Sequence, residues 1–154
     1  MRSRDEVITS PSYGGAPRAS SLWAAALLLA ACGCPEGAAP VAVESPERAL
    51  EVCAELALTE EERRRGLMGP PPLAPGEGMY FDFRVEQEIC IFNGGVTFPI
   101  DVLYAAADGE VVAIEREVPA GDETARCHPG TMQVLEVGAG ELAAFEPGDR
   151  LVFR

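Results

Sequence analysis

From residue 50 onward, apolar side chains recur at every second position, in runs too short for helices and separated by Gly and Pro. Leu50, Val52, Ala54, Leu56 and Leu58 alternate with Glu51, Cys53, Glu55 and Ala57. Successive side chains on an extended strand point to opposite faces, so this alternation gives one buried face and one wet face. The same criterion predicts strands over residues 79–83, 88–92, 100–106, 110–117, 132–137 and 150–154. Ala107-Asp108-Gly109 joins two of them, and Asp-Gly between apolar runs marks a hairpin. Pro70-Pro71-Pro72 with Pro75-Gly76 gives a stiff loop, and Pro147-Gly148-Asp149 a turn. One stretch reads differently. Thr59 with Glu62 three residues on is a capping box, Glu60, Glu61 and Glu62 suit the positive end of a short helix, and Arg63, Arg64 and Arg65 suit its negative end. Residues 141–145 have room for one more helical turn. Six or seven short strands with one or two short helices predict an all-β sandwich or barrel, a single domain over residues 48–154.

The N-terminal part has another character. Residues 22–31 are an unbroken apolar run of ten, preceded by Arg2, Arg4 and Arg18. A spanning helix needs roughly 18 apolar residues or more, whereas about 7–15 make the core of a secretory signal. The run ends in Leu29-Ala30-Ala31-Cys32, which resembles the lipobox of bacterial lipoproteins. That resemblance implies that residues 1–31 are a signal peptide and that Cys32 is lipidated and becomes the first mature residue. The acyl chains would then hold the protein at a membrane of the cell envelope. Gly33 after the Cys tilts the expectation toward the outer membrane. Residues 32–47 are rich in Pro, Ala, Gly and Glu without periodicity and are expected to form a tether.

Charge narrows the partners. The chain has 12 basic residues, all Arg, against 25 acidic ones, a net charge of -13. Anionic headgroups would repel such a surface, so the anchor on Cys32, not the surface, is the expected membrane contact. A nucleic-acid backbone is excluded as a partner for the same reason. Of five Cys, Cys32 is taken by the lipobox. Cys34, Cys53, Cys90 and Cys127 form an even set, which in an exported domain implies disulfides, with three possible pairings. His128 is the single His, and no CxxC or HxxxH spacing occurs, so no metal or cofactor is expected. Asp122-Glu123 reads as a solvated loop. Gly94-Gly95 lacks the Lys-Ser and helix that a phosphate loop needs.

Several separated pieces resemble the bacterial family called domain of unknown function 192. Glu62-Arg63 with Arg65-Gly66-Leu67-Met68, Gly78-Met79 with Phe81 and Phe83, Pro99-Ile100-Asp101-Val102, Val134-Leu135-Glu136-Val137 and Pro147-Gly148-Asp149-Arg150 stand in the family's order. The resemblance covers residues 52–152. It implies a compact, mostly β fold, often secreted or lipid-anchored, with no established activity. Before the Pro-Ile-Asp strand, relatives usually carry Trp-Met-Lys-Asn-Thr, where this chain has Phe92-Asn93-Gly94-Gly95-Val96. Some relatives hold a Cys pair in the loop filled here by Val118-Pro119-Ala120-Gly121. From that comparison the expected disulfides are Cys90–Cys127 and Cys34–Cys53.

Asp101 is an acid inside an apolar strand, between Ile100 and Val102. Buried acids are costly unless bonded, so it is either a ligand or acid–base group or is tied to backbone amides. With Phe92 and Asn93 it makes the candidate ligand-binding set. Cys127-His128 suggests a thiol activated by imidazole, but neighbours in an extended chain point apart, and no catalytic residue is assigned. The expected function is an envelope domain that binds a small molecule or a protein. One alternative is a hydrolase or transferase using Asp101 with Glu115 or His128. Another is a structural envelope accessory with an exposed apolar face around Phe92 and Phe98.

Overall fold

The computed structural model describes residues 33–69 and 71–154. Residues 1–31 and Cys32, with the expected signal and lipidation site, lie outside the described residues. The elements are β1 (Ala38–Glu44), β2 (Ala49–Ala57), α1 (Glu60–Arg65), β3 (Glu77–Ile91), β4 (Ile100–Ala105), β5 (Val111–Val118), β6 (Arg126–Gly138) and β7 (Arg150–Phe153). The strands make one seven-stranded sheet in the order β5-β4-β6-β3-β2-β1-β7. Every pairing is antiparallel except β2 with β3, which α1 joins as a crossover. The sheet curls into a half-barrel. Its far ends meet where Glu110 bridges Arg150 and the amides of Val111 and Leu151 donate to the carbonyls of Asp149 and Gly109, both at 2.8 Å. The all-β expectation holds.

Curling buries both faces of the sheet, and the two-residue period sorts side chains between two cores. Tyr80, Leu103, Leu135 and Val137 point inward with Val41, Val43, Val52, Leu142 and Leu151. Their neighbours Met79, Phe81, Val102, Tyr104 and Val134 point outward, where Leu67, Val96 and Phe98 from the connecting segments cover them. Strand β4, between β5 and β6, is buried at every position, which explains its near-continuous apolar sequence.

α1 forms as its caps predict. Glu62 N donates to Thr59 Oγ1 at 3.2 Å, and Glu62 Oε2 accepts from the Thr59 and Leu58 amides at 2.8 and 3.0 Å. Those bonds hold the Glu62 carboxyl below its ordinary pKa. Both disulfides implied by the family resemblance are formed, Cys34–Cys53 and Cys90–Cys127, with Cα atoms 5.3 and 4.0 Å apart.

Three expectations are corrected. The tether assigned to residues 32–47 contains a strand: β1 lies between β2 and β7, and Val41, Ala42 and Val43 are wholly buried. Both of its faces are covered, so it has no alternation to reveal it. Residues 79–83 and 88–92 are not separate strands but parts of the long β3, which bends at a register shift between Asp82 and Gln87, with Arg84 at φ 66°. Residues 139–144 are a run of turns, not a helical one.

Candidate functional site

Asp101 stands in β4 facing the inner core, fully buried. Its Oδ1 accepts from the Glu117 amide at 2.8 Å, and its Oδ2 from the Gly140 and Leu142 amides at 2.9 and 3.0 Å. Glu117 holds φ at 51°, presenting its N–H to the carboxylate. Asp101 therefore ties β5 and the turn after β6 to β4. A carboxylate with three backbone donors has little left for a ligand, and Asp101 does not line the cavity described next. Its expected place in the ligand-binding set gives way to a bracing one.

The cavity lies on the other face, among α1, the segment that follows it, β3, β6 and residues 92–96. Its volume is about 300 Å³. Phe81 and Phe83, two residues apart on β3, share this face and lie nearly parallel, 13° between planes and 6.5 Å between centroids. The Arg63 guanidinium sits 5.3 Å from the Phe83 ring centre and donates to the Leu58 and Asp82 carbonyls at 2.7 and 3.0 Å. Phe92 stands at the mouth, 55% exposed, with Met68 beside it. Gly95, at φ 77°, admits Met68: a Cβ there would lie 2.9 Å from the Met68 sulfur.

Asn93 is wholly buried in the cavity wall. Its Nδ2 donates to the Phe98 and Pro119 carbonyls at 3.0 and 2.9 Å, pinning two loops together, while its Oδ1 is buried without a partner. Phe92 and Asn93 thus belong to the cavity. Phe98 does not share the exposure of Phe92, because it is buried in the outer core.

Glu136 is the residue that sequence reasoning passed over. It lies in β6 opposite Met79 and Val102, is 5% exposed, and lines the cavity. Among the described residues its carboxyl makes no hydrogen bond or ion pair. Burial alone pushes its pKa up to about 8, so the neutral acid predominates at pH 7. The signal was available: Glu136 sits between Leu135 and Val137 as Asp101 sits between Ile100 and Val102.

A third polar group lies on β5 and β6. His128 Nε2 is 2.9 Å from Glu115 Oε1, Arg126 Nε is 3.5 Å from Glu115 Oε2, and Arg126 also pairs with Asp122 at 2.8 Å. The bonds to Arg126 and Thr124 hold Asp122 down at about 2. The structure thus joins Glu115 to His128. It sends Asp101 to the opposite face and binds the Cys127 thiol in a disulfide. Among the described residues, no group of three or more His, Cys, Asp or Glu is placed to hold a metal.

Fold and cavity together define a small, disulfide-bonded β domain with one apolar hollow on the outer face of its sheet. The chain belongs to the family domain of unknown function 192, described as "Uncharacterized ACR", whose model matches residues 41–153. Among solved structures it is similar to a protein of unknown function from Novosphingobium aromaticivorans DSM 12444, 28% identical, with a TM-score of 0.73 over 75% of this chain and 85% of that one. It is also similar to a protein from Sinorhizobium meliloti 1021 described as a "putative transcription regulator", 28% identical, with a TM-score of 0.72 over 75% of this chain and 93% of that one. No curated protein matches the chain.

Proposed function

We propose that this protein is an exported, lipid-anchored binding domain that captures a small organic molecule in the cavity beside α1. The observation that supports it is Glu136, 5% exposed and with no partner for its carboxyl among the described residues, in a hollow walled by Phe, Leu, Met, Ile and Val side chains with the charged groups of α1 along one side. Burying an ionisable group without a partner works against folding, and an apolar residue would fill the site at less cost. Such a group in a concave apolar site is the pattern of a binding pocket. A volume of about 300 Å³ is at the small end of ligand cavities and suits a molecule of one ring or a short chain. The lipobox at Leu29-Ala30-Ala31-Cys32 supports the anchor, and two disulfides are compatible with export. A DNA-binding role like that suggested by the description of the Sinorhizobium relative would have to overcome a net charge of -13.

A fragment screen by NMR tests the cavity. Binders are expected to shift the Met68 methyl signal and to lose affinity in Phe92→Ala. A screen whose hits all bind elsewhere overturns the reading. For the anchor, metabolic labelling with an alkynyl fatty acid in a lipoprotein-processing host should tag the wild-type protein and not Cys32→Ala. Equal labelling of both would refute it.

A further inference from the structure

We infer that the cavity selects an organic ammonium: a small apolar body ending in a primary amine, which enters amine first and pairs with the Glu136 carboxylate. This rests on the cavity being a binding site and names the chemistry that it takes.

The placement of charge around Glu136, rather than the sum over the walls, carries the argument. The other charged side chains on its walls are Glu60, Arg63, Arg64 and Arg65, all from α1. Arg64 is paired with Glu60 at 2.6 Å, and Arg63 is held by the Leu58 and Asp82 carbonyls. Arg65 is exposed at the rim, where solvent and salt screen it. β3, β6 and the 92–96 segment contribute only apolar or neutral side chains beside Glu136. Burial raises its pKa, and among the described residues no cation pairs with its carboxyl. A cationic ligand would supply the counter-charge that no side chain brings within ion-pair reach.

Two further observations agree. Phe81 and Phe92 also line the cavity, and aromatic faces attract cations. A net charge of -13 also raises the concentration of cations near the surface. The proton balance follows. An alkylamine is already protonated at pH 7, whereas Glu136 is mostly neutral, so pairing releases one proton from Glu136 to solvent.

The test uses the full chain in a non-ionic detergent and isothermal titration calorimetry at pH 7. The probes are phenethylamine and 2-phenylethanol, which has nearly the same shape without the charge. The amine is expected to bind at least about tenfold more tightly, a difference of about 1.4 kcal/mol. Glu136→Gln should lose that preference. In wild type, titrations in two buffers of different ionisation enthalpy should report close to one proton released per amine bound, a readout that needs no variant. Equal affinity for both probes, or amine binding without proton release, overturns the inference and leaves the cavity reading standing. If neither probe nor a wider set of matched amines and neutral isosteres binds, both are overturned.

Discussion

Asp101 and Glu136 are acids buried in adjacent strands, one register step apart: Asp101 lies opposite Val137, and Glu136 opposite Val102. They point to opposite sides of the same sheet. On the inner side Asp101 is surrounded by three backbone N–H groups that replace its water. On the outer side Glu136 borders the cavity at 5% exposure and has no hydrogen-bond or ion-pair partner among the described residues. Both are buried, so burial does not separate a brace from a site. The separation comes from what solvates the carboxylate, because a satisfied buried charge holds a fold together and an unsatisfied one awaits a partner.

The contrast is open to direct attack, beginning with the largest effect. The pKa of Glu136 is raised in the folded state, so its contribution to stability is full below the unfolded value near 4.5 and declines as pH rises through about 8. Urea midpoints measured from pH 4.5 to pH 9 should fall by an amount equivalent to about 4 kcal/mol in wild type. In Glu136→Gln that decline should be absent, leaving the variant the more stable protein at pH 9. An unchanged slope in the variant would place the titration elsewhere. Asp101 should act in the opposite sense. Asp101→Ala leaves three backbone amides without their acceptor, that of Leu142 buried, and should cost about 3 kcal/mol in urea unfolding at pH 7. A loss under about 1 kcal/mol would remove the bracing role.

Asn93 combines the two behaviours, since its nitrogen is satisfied and its oxygen is not. Asn93→Ala should cost about 2 kcal/mol through the loops that Nδ2 joins. The smallest effect is a control remote from both acids: Thr59→Ala removes the α1 cap and should cost about 1 kcal/mol, with the pH slope of Glu136 intact.

The strands were legible wherever one side of the chain is wetter than the other. β2 shows this best, with alternating Leu, Val and Ala against Glu. β1 was hidden because Val41-Ala42-Val43 is buried throughout and lies in a stretch whose composition resembles a linker. The bend in β3 was read as a break, since the exposed residues around Arg84 carry no apolar alternation. The capping box was fully legible because it is local, made between Thr59 and Glu62. The disulfide pairing was not: spacing left three possibilities, and the choice came from family resemblance. As for the site, the sequence shows that Asp101 and Glu136 each interrupt an apolar strand. It does not show which of them meets amides from residues 117, 140 and 142, because those arrive from 16 to 41 positions away.

The link between Cys34 and Cys53 has a mechanical meaning. Cys34 precedes β1, while Cys53 is in β2, further inside the sheet. A pull arriving at Cys34 from the N-terminal side therefore bypasses β1 and enters the sheet through a covalent bond. Without that bond, the same force would peel β1 away from β2 and β7 one hydrogen bond at a time, the weakest way to load a sheet. With it, rupture requires dragging β2 past its neighbours with many bonds breaking together. If the proposed N-terminal anchor holds the domain, it is tugged from that end, and the cross-link leaves β1 slack under the load.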